Sequence, residues 1–381
     1  MLSTKTVTLA LCFANYVLAW PAMAELMKLQ RRQGPVDPAD DPLDEPANTR
    51  MPGDLATVGA TSVVGQTIMD ILLRKVTAEA PGIPSPIIPP ALSSAKCKAD
   101  TCCVWRHVAI AMNFAFIGPT LRCNDLARAA IRLGFHDAGT WSVKLAAQGQ
   151  DYGGADGSLV LAGEISRPEN KGLEKIVTQM KAWKKTYGVG MADLIQFGAN
   201  HATVTCPLGP RLRTFVGRKD SSKPAPDGLL PDAKASADSL INLFEDKTIS
   251  AHELAALVGA HTSSRQFNFD SATSGAPQDS TPGVWDVLFY NQTVQNNVTK
   301  GVFRIPSDVA LAAHPSMSAE WQKFSLGNGV GQDHWNGDYA IAYTRLSLLG
   351  VNNINNLTEC SRVMPVARPD FAGFFKQFVN G

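Results

Sequence analysis

The sequence predicts a mostly α-helical protein, and three observations carry that expectation. Helical periodicity dominates the chain, and clear alternating strand runs are rare. Asp125 to Ile131 runs without Pro or Gly in a helical mix of Leu, Ala, Arg and Ile. Ser250-Ala-His-Glu253 pairs Ser with Glu three residues on, the signature of a helix start, and an apolar run follows to His261.

The chain has 381 residues, nearly half of them hydrophobic, enough to bury a large core in one big domain or two smaller ones. Its 35 Lys and Arg against 34 Asp and Glu leave the formal charge near zero. No basic stripe argues for nucleic acid and no acidic tract for a polycation partner.

Residues 1–24 read as a signal peptide. Lys5 supplies the positive start, Val7 to Trp20 the apolar run and Ala22-Met23-Ala24 the cleavage site. That run is shorter than the ~20 residues a bilayer span needs, and no later segment reads as a membrane helix. Arg31-Arg32 offers a second processing site, and Gln33 to Pro52 is rich in Pro and Asp. Residues 25–95 therefore read as propeptide or linker, partly disordered, with a weak helical stretch from Leu55 to Arg74 and a Pro-rich passage from Pro81 to Pro90. The folded domain is placed at residues 96–381.

Once Cys12 leaves with the signal, Cys97, Cys102, Cys103, Cys123, Cys206 and Cys360 remain. An even number in a secreted chain implies a disulfide framework, and six cysteines allow 15 connectivities. Adjacent Cys102 and Cys103 are poorly placed to pair with each other. Sequons at Asn291, Asn297 and Asn356 fit a secretory route.

Arg132 and His136 lie four apart and share a helix face, while Asp137 is turned roughly 100° away. One face thus carries a titratable base beside a permanent cation, and the next a hard carboxylate ligand. His252 and Glu253 invite a zinc-protease reading, but the second His that motif requires is Ala256, so His252 reads as an exposed first-turn residue. Beyond His261 and Thr262, the loop Asp279 to Asp286 supplies carboxylates, hydroxyls and free carbonyls suited to calcium. Gly154-Ala-Asp156-Gly-Ser158 with Asp137 is a second such cage.

These segments, Arg132-x-x-Phe135-His136-Asp137, Gly153-Gly-Ala-Asp-Gly-Ser158, Gly259-Ala-His-Thr262 and Asp279-Ser-Thr-Pro-Gly-x-x-Asp286, resemble the secreted class II fungal haem peroxidases, the lignin, manganese, versatile and generic peroxidases. Pro224-Ala-Pro-Asp-Gly-Leu-Leu-Pro231 and Leu357-Thr-Glu-Cys360 match in order as well, so the similarity runs from about Cys97 to Pro365. The resemblance implies a two-lobed fold with one haem b between distal and proximal helices. It implies that His261 ligates the iron, with Asp308 accepting its other ring proton and so favouring the higher oxidation states. His136 becomes the base that takes a proton from hydrogen peroxide and returns it to the leaving oxygen. Arg132 stabilises the developing negative charge. Asn170 accepts a proton from His136, Glu164 holds Asn170, and Phe135 packs over the haem.

The same resemblance implies two calcium ions. Asp137, Gly154, Asp156 and Ser158 form the distal site, and Thr262, Asp279, Thr281, Val284 and Asp286 the proximal one. Its disulfides are Cys97–Cys103, Cys102–Cys360 and Cys123–Cys206. Ala319 stands where a cysteine of the family's fourth disulfide belongs, and the longer tail common in the family is missing.

Departures from the family point to the donor. Three carboxylate positions that a manganese site needs hold Asp125, Ala129 and Phe267. The tryptophan that lignin-type members expose five residues before the proximal His is Ala256. Oxidation of small phenolic and aromatic donors at the haem edge by a generic, monomeric, secreted peroxidase is the expectation, with no nucleic acid and no membrane as partner. Two other classes compete with it: a calcium-stabilised haem-binding module with little turnover, and a secreted zinc hydrolase. The complete set of Arg132, His136 and Asn170 argues against the first, and the missing His after Glu253 against the second.

Overall fold

In the computed structural model, which describes residues 46–81, 88–327 and 329–370, several helices start where a side chain satisfies a first free backbone N–H group. In chain order the longer helices are α1 (Gly53–Thr57), α2 (Val63–Leu72), α3 (Thr101–Phe116), α4 (Asp125–Ala138), α5 (Glu174–Tyr187) and α6 (Met191–Thr205). They continue with α7 (Ala237–Glu245), α8 (Ala251–Val258), α9 (Leu288–Val294), α10 (Pro306–Ala313), α11 (Pro315–Phe324) and α12 (Val330–Leu346). Asn124 caps α4, its Oδ1 accepting from Leu126 N at 3.0 Å and Ala127 N at 3.1 Å. The capping box foreseen at α8 is present: Ser250 Oγ accepts from Glu253 N at 3.2 Å, and Glu253 Oε2 from Ser250 N at 2.8 Å.

Helix α6 is buried along its whole length, and its polar side chains, such as Asp193 and Gln196, are hydrogen-bonded inside the core. It packs against α4, while α8 packs against α12, so the two histidine-bearing helices each rest on a long core helix. Strand pairing among the described residues is confined to β1 (Phe215–Val216) and β2 (Thr358–Glu359), antiparallel, which leads directly into Cys360. The structure pairs Cys97 with Cys103, Cys102 with Cys360, and Cys123 with Cys206. Cys102–Cys360 ties α3 to the end of the described chain.

Two motif glycines owe their identity to close packing. A Cβ on Gly134 lies 2.5 Å from Ala199 Cβ of α6 and 2.3 Å from the Tyr343 hydroxyl. A Cβ on Gly259 lies 2.2 Å from the Tyr290 hydroxyl and 2.6 Å from the Trp335 ring. Neither helix can approach its neighbour with a larger residue there. Gly134→Ala is therefore expected to cost about 1–3 kcal/mol through overpacking, read as a lower urea midpoint at unchanged slope.

The domain begins earlier than residue 96. Residues 46–81, assigned from sequence to propeptide or linker, are built into the body. Leu55, Ile68, Ile71 and Leu72 are core residues. Asp54 accepts from Ile354 N at 2.7 Å, and Asn48 Nδ2 donates to Glu253 Oε2 at 2.6 Å. The guanidinium of Arg345, fully buried, donates from Nε to Glu253 Oε1 at 2.6 Å and from Nη2 to the Asn48 carbonyl at 2.9 Å. Pro- and Asp-rich composition marked the segment as unfolded, while the spaced apolar residues of Leu55 to Leu72 that dock on α12 spoke too weakly alone. The signal peptide, the Arg31-Arg32 cut and residues 82–87 of the Pro-rich passage lie outside the described residues.

Candidate active site

The C-terminal half of α4 carries the first cluster. His136 Nδ1 and Asn170 Oδ1 are 2.8 Å apart. An amide oxygen can only accept, so Nδ1 holds the hydrogen and Nε2 is left as the basic nitrogen. Arg132 Nε donates to that same Nε2 at 3.1 Å, consistent with the assignment. Burial, followed by the Arg132 charge, pulls His136 down to about 3, against a smaller opposing push from the Asn170 hydrogen bond. The ring is thus a neutral base over the ordinary pH range.

Asn170 sits in the Pro168–Asn170 turn and donates from Nδ2 to the main-chain carbonyl of Glu164 at 2.8 Å. The expected link from Glu164 to Asn170 exists, but through backbone rather than carboxylate. The Glu164 carboxylate instead accepts from Ala225 N at 2.8 Å and Arg167 Nη1 at 2.9 Å, locking the 164–170 turn against the 225 loop. Arg132 is held by that turn, Nη1 donating to Lys171 O at 2.9 Å and Nη2 to Glu169 O at 2.7 Å. These two carbonyls, the Ala225 amide and Phe244, which stacks on Phe135 at 6.0 Å between ring centroids, were not identified from sequence. Only the turn residues Pro168 and Gly172 signalled that a shaped loop lay there.

His261 lies on the turn Gly259–Ser263 that extends α8. Its Nδ1 is 2.8 Å from Asp308 Oδ2 at the start of α10, and Asp308 is buried. Burial pulls His261 down, and the charge and hydrogen bond of Asp308 outweigh it and raise it above its ordinary value. Although deep in the protein, His261 keeps 37% of its side-chain surface accessible, and Arg132 is likewise exposed on an inner helix. The Arg132 charge is near enough to act on His261. The two motifs therefore face a common gap, with Nε2 of His261 turned away from its carboxylate partner and available as a ligand. One imidazole polarised by a buried carboxylate, across a gap from a neutral base and a cation, is a set that would fit a haem held through His261.

The two oxygen cages also assemble. Asp137 accepts from Gly157 N at 3.1 Å and Leu159 N at 3.3 Å, beside Asp156. Ser158 Oγ is buried there without a hydrogen-bond partner. Burial first and the Asp156 charge second push Asp137 well above the usual carboxylate range. Gly154 enters the cage with a φ of +90°. On the other side, Thr281 Oγ1 donates to Asp286 Oδ2 at 2.8 Å, Thr281 N donates to Asp279 Oδ1 at 2.8 Å, and Thr262 Oγ1 donates to Asp279 Oδ2. Asp279 is fully buried, Val284 nearly so, and burial and the Asp286 charge drive Asp279 upward. Paired buried carboxylates and an orphaned hydroxyl are what a hard cation resolves, so both donor sets fit calcium.

The donor-class positions are equally plain. Ala256 is fully buried, Asp125 is exposed, and Phe267 is 56% exposed. Trp105, Trp141, Trp183, Trp285, Trp321 and Trp335 are all buried, so no tryptophan is exposed among the described residues. His252, expected at the surface, is buried instead.

The family described as Peroxidase matches residues 115–326. The chain is 34% identical over 285 residues to a peroxidase of Arthromyces ramosus, covering 70% of this chain and 76% of that protein. It is 34% identical over 285 residues to a peroxidase of Coprinopsis cinerea, covering 70% of this chain and 77% of that one. It is 32% identical over 291 residues to ligninase LG5 of Phanerodontia chrysosporium, covering 71% and 76%. No helix among the described residues is long and apolar enough to cross a membrane.

Proposed function

The chain belongs to the peroxidase family, haem enzymes that use hydrogen peroxide as oxidant, and from that premise we propose a secreted, generic peroxidase that oxidises small phenolic and aromatic donors one electron at a time at the haem edge. The observation that carries the reading is the linked set Arg132–His136–Asn170 facing His261–Asp308 across one gap.

Haem, which His261 would hold, would supply the redox chemistry. The protein's part is proton handling and charge. Nε2 of His136 accepts the proton of the bound peroxide oxygen, and the same nitrogen returns it to the departing oxygen so that water leaves. Asn170 keeps Nδ1 protonated throughout, so the ring cannot present the wrong nitrogen. Arg132, fixed by two carbonyls, aims its charge at the bond being broken. Asp308 pulls on the Nδ1 proton of His261 and makes Nε2 a stronger donor to iron. Phe135, against Phe244, lines the same helix face and keeps water from the base.

The buried Ala256, the buried tryptophans and the single carboxylate of the manganese triplet all favour small donors at the opening. Phe267 stands exposed beside Asn268, whose amide lies near Gly172 and Arg132. Asn297 and Asn356 are exposed sequons, whereas Asn291 donates its amide to Ser325 O at 3.2 Å, so glycan attachment is expected at the first two.

The test is the absorption spectrum of haem- and calcium-loaded protein before and after stoichiometric hydrogen peroxide. A change within milliseconds that reverses on adding a phenol supports turnover. A haem spectrum that barely responds would favour the binding-module reading. Calcium removal follows from the adjacency of Asp137 to His136 and of Thr262 to His261. Chelation is expected to lower the melting temperature and slow the peroxide reaction together, and added calcium to restore both. Loss of one without the other would separate the cages from the histidines.

A further inference from the structure

Away from the haem gap, three helices converge on a second cluster that the peroxidase chemistry does not use. His252 stands in the first turn of α8, Glu320 on α11, and His334 and Asp338 one turn apart on α12. His252, Glu320 and Asp338 are buried, and each offers a donor atom within 4.8 Å of the others. His334 Nε2 joins them, 2.7 Å from Glu320 Oε1 and 3.4 Å from Asp338 Oδ2.

The contacts at one atom of this cluster, His252 Nε2, conflict in either protonation state. His252 Nε2 lies 2.9 Å from Asp338 Oδ2 and 2.7 Å from Arg74 Nη2. If Nε2 carries hydrogen it faces a second donor in Arg74, and if it does not its lone pair faces the carboxylate oxygen. His252 Nδ1 is buried with only a long 3.5 Å approach to Glu320 Oε2, and Asp338 Oδ2 is buried beside the two imidazole Nε2 atoms. Such atoms are costly in a core unless something binds them. The outer positions are already supported: Arg74 Nη1 is 2.8 Å from Asp338 Oδ1, and Lys323 Nζ is 3.0 Å from Glu320 Oε2.

We propose that His252, His334, Glu320 and Asp338 bind a divalent metal ion of the zinc class, distinct from the haem iron and the calcium cages. Two imidazoles and two carboxylates are a nitrogen and oxygen set suited to zinc rather than calcium. Ligands on a tetrahedral zinc with bonds of about 2.0–2.1 Å sit about 3.3 Å apart. The separations here, 2.9 Å for His252 to Asp338, 3.4 Å for His334 to Asp338 and 2.7 Å for His334 to Glu320, bracket that edge. Zinc on Nε2 and Oδ2 removes the acceptor conflict once Arg74 Nη2, 2.7 Å from Nε2, swings aside, and Arg74 Nη1 keeps its bond to Asp338 Oδ1 as the supporting partner a ligating carboxylate needs. A groove of about 460 Å³ bordered by Arg74, Ser250, His252 and Ser316 touches the cluster at His252. The ion would join α8, α11 and α12 where Ala319, beside Glu320, leaves the family's fourth disulfide unmade.

The experiment uses the full haem- and calcium-loaded protein, exposed to zinc chloride, freed of loose metal by gel filtration and assayed for each metal by mass spectrometry. One zinc per chain is expected in the wild type, falling to background in His334→Gln and Glu320→Gln with iron and calcium unchanged. Zinc absent from the wild type, or retained equally by both variants, overturns the proposal and leaves a self-contained ion-pair network. Should a variant not fold, X-ray absorption at the zinc edge of the wild type decides. Two imidazoles in the zinc shell support the site, and a shell without them overturns it.

Discussion

His136→Leu is expected to slow the reaction with hydrogen peroxide by about 10²–10⁴-fold while leaving haem bound, because the lost group moves a proton and does not touch iron. His136 is the only basic side-chain nitrogen on its face of α4, and Arg132, its neighbour, stays protonated and cannot replace it. The pH profile follows from the same environment. With the ring held near 3 by burial and by Arg132, the base is present above that value and is lost only as pH falls through it. The wild-type rate constant should therefore be flat across neutral and mildly acid pH and drop toward pH 3, and this drop should be missing from the residual rate of His136→Leu. Arg132→Leu should lower the rate by about 10²–10³-fold and move that inflection to higher pH, since it removes the charge stabilisation together with one of the two causes that hold the ring low. Stopped-flow rates across pH check all three statements. A rate in His136→Leu within a few-fold of wild type would sink the assignment of the base.

Deletion of residues 46–81 is expected to abolish folding rather than to mimic maturation. Burying Leu55, Ile68, Ile71 and Leu72 stabilises the native state by roughly 1.5–3 kcal/mol each, which together approaches the 5–15 kcal/mol stability of a typical domain. The deletion also removes the Asn48 carbonyl and amide from the buried Arg345–Glu253 pair. The pair itself remains, but its buried groups lose those hydrogen bonds, a cost of about 1–3 kcal/mol for each group left unsatisfied. Glu253 lies on α8, the helix that leads to His261, so whatever survives should bind haem poorly. A chain starting at Pro46 should match the longer protein in thermal melting and haem content, and one starting at Ala91 should be insoluble or unfolded. Equal stability of the two would show that the segment is dispensable.

Much of the active site was legible because its residues sit close together in sequence. Arg132, Phe135, His136 and Asp137 are on one helix, and four-residue spacing alone puts Arg132 beside His136. Short motifs likewise placed Asp279 and Thr281 near Asp286 and Thr262 beside His261. The links between motifs were legible only through resemblance to a family, because nothing in spacing says that Asn170 reaches His136 or that Asp308 reaches His261.

The misreadings share one cause. His252 was taken for a surface residue because a first-turn position on an amphipathic helix usually faces water, yet Glu320, His334 and Asp338 approach it from helices 68 to 86 residues later. Glu164 holds Asn170 as expected, and it does so through its main-chain carbonyl, since the fold of a 3₁₀ turn decides which oxygen faces inward. Residues 46–81 looked like linker because Pro and Asp mark unfolded chain, and their few apolar side chains gain a partner only when α12 and residues 351–355 are in place.

By itself the sequence determined the helical class, the two histidine-bearing helices with the cap of the second, and the residue types able to do peroxide chemistry, because these depend on interactions within a few turns of chain. Only the tertiary structure decided where the domain begins, which atom of Glu164 supports Asn170, and that four residues from three helices meet at His252. Those outcomes are set by long-range packing and by the need to pair every buried polar group, and no local pattern encodes them.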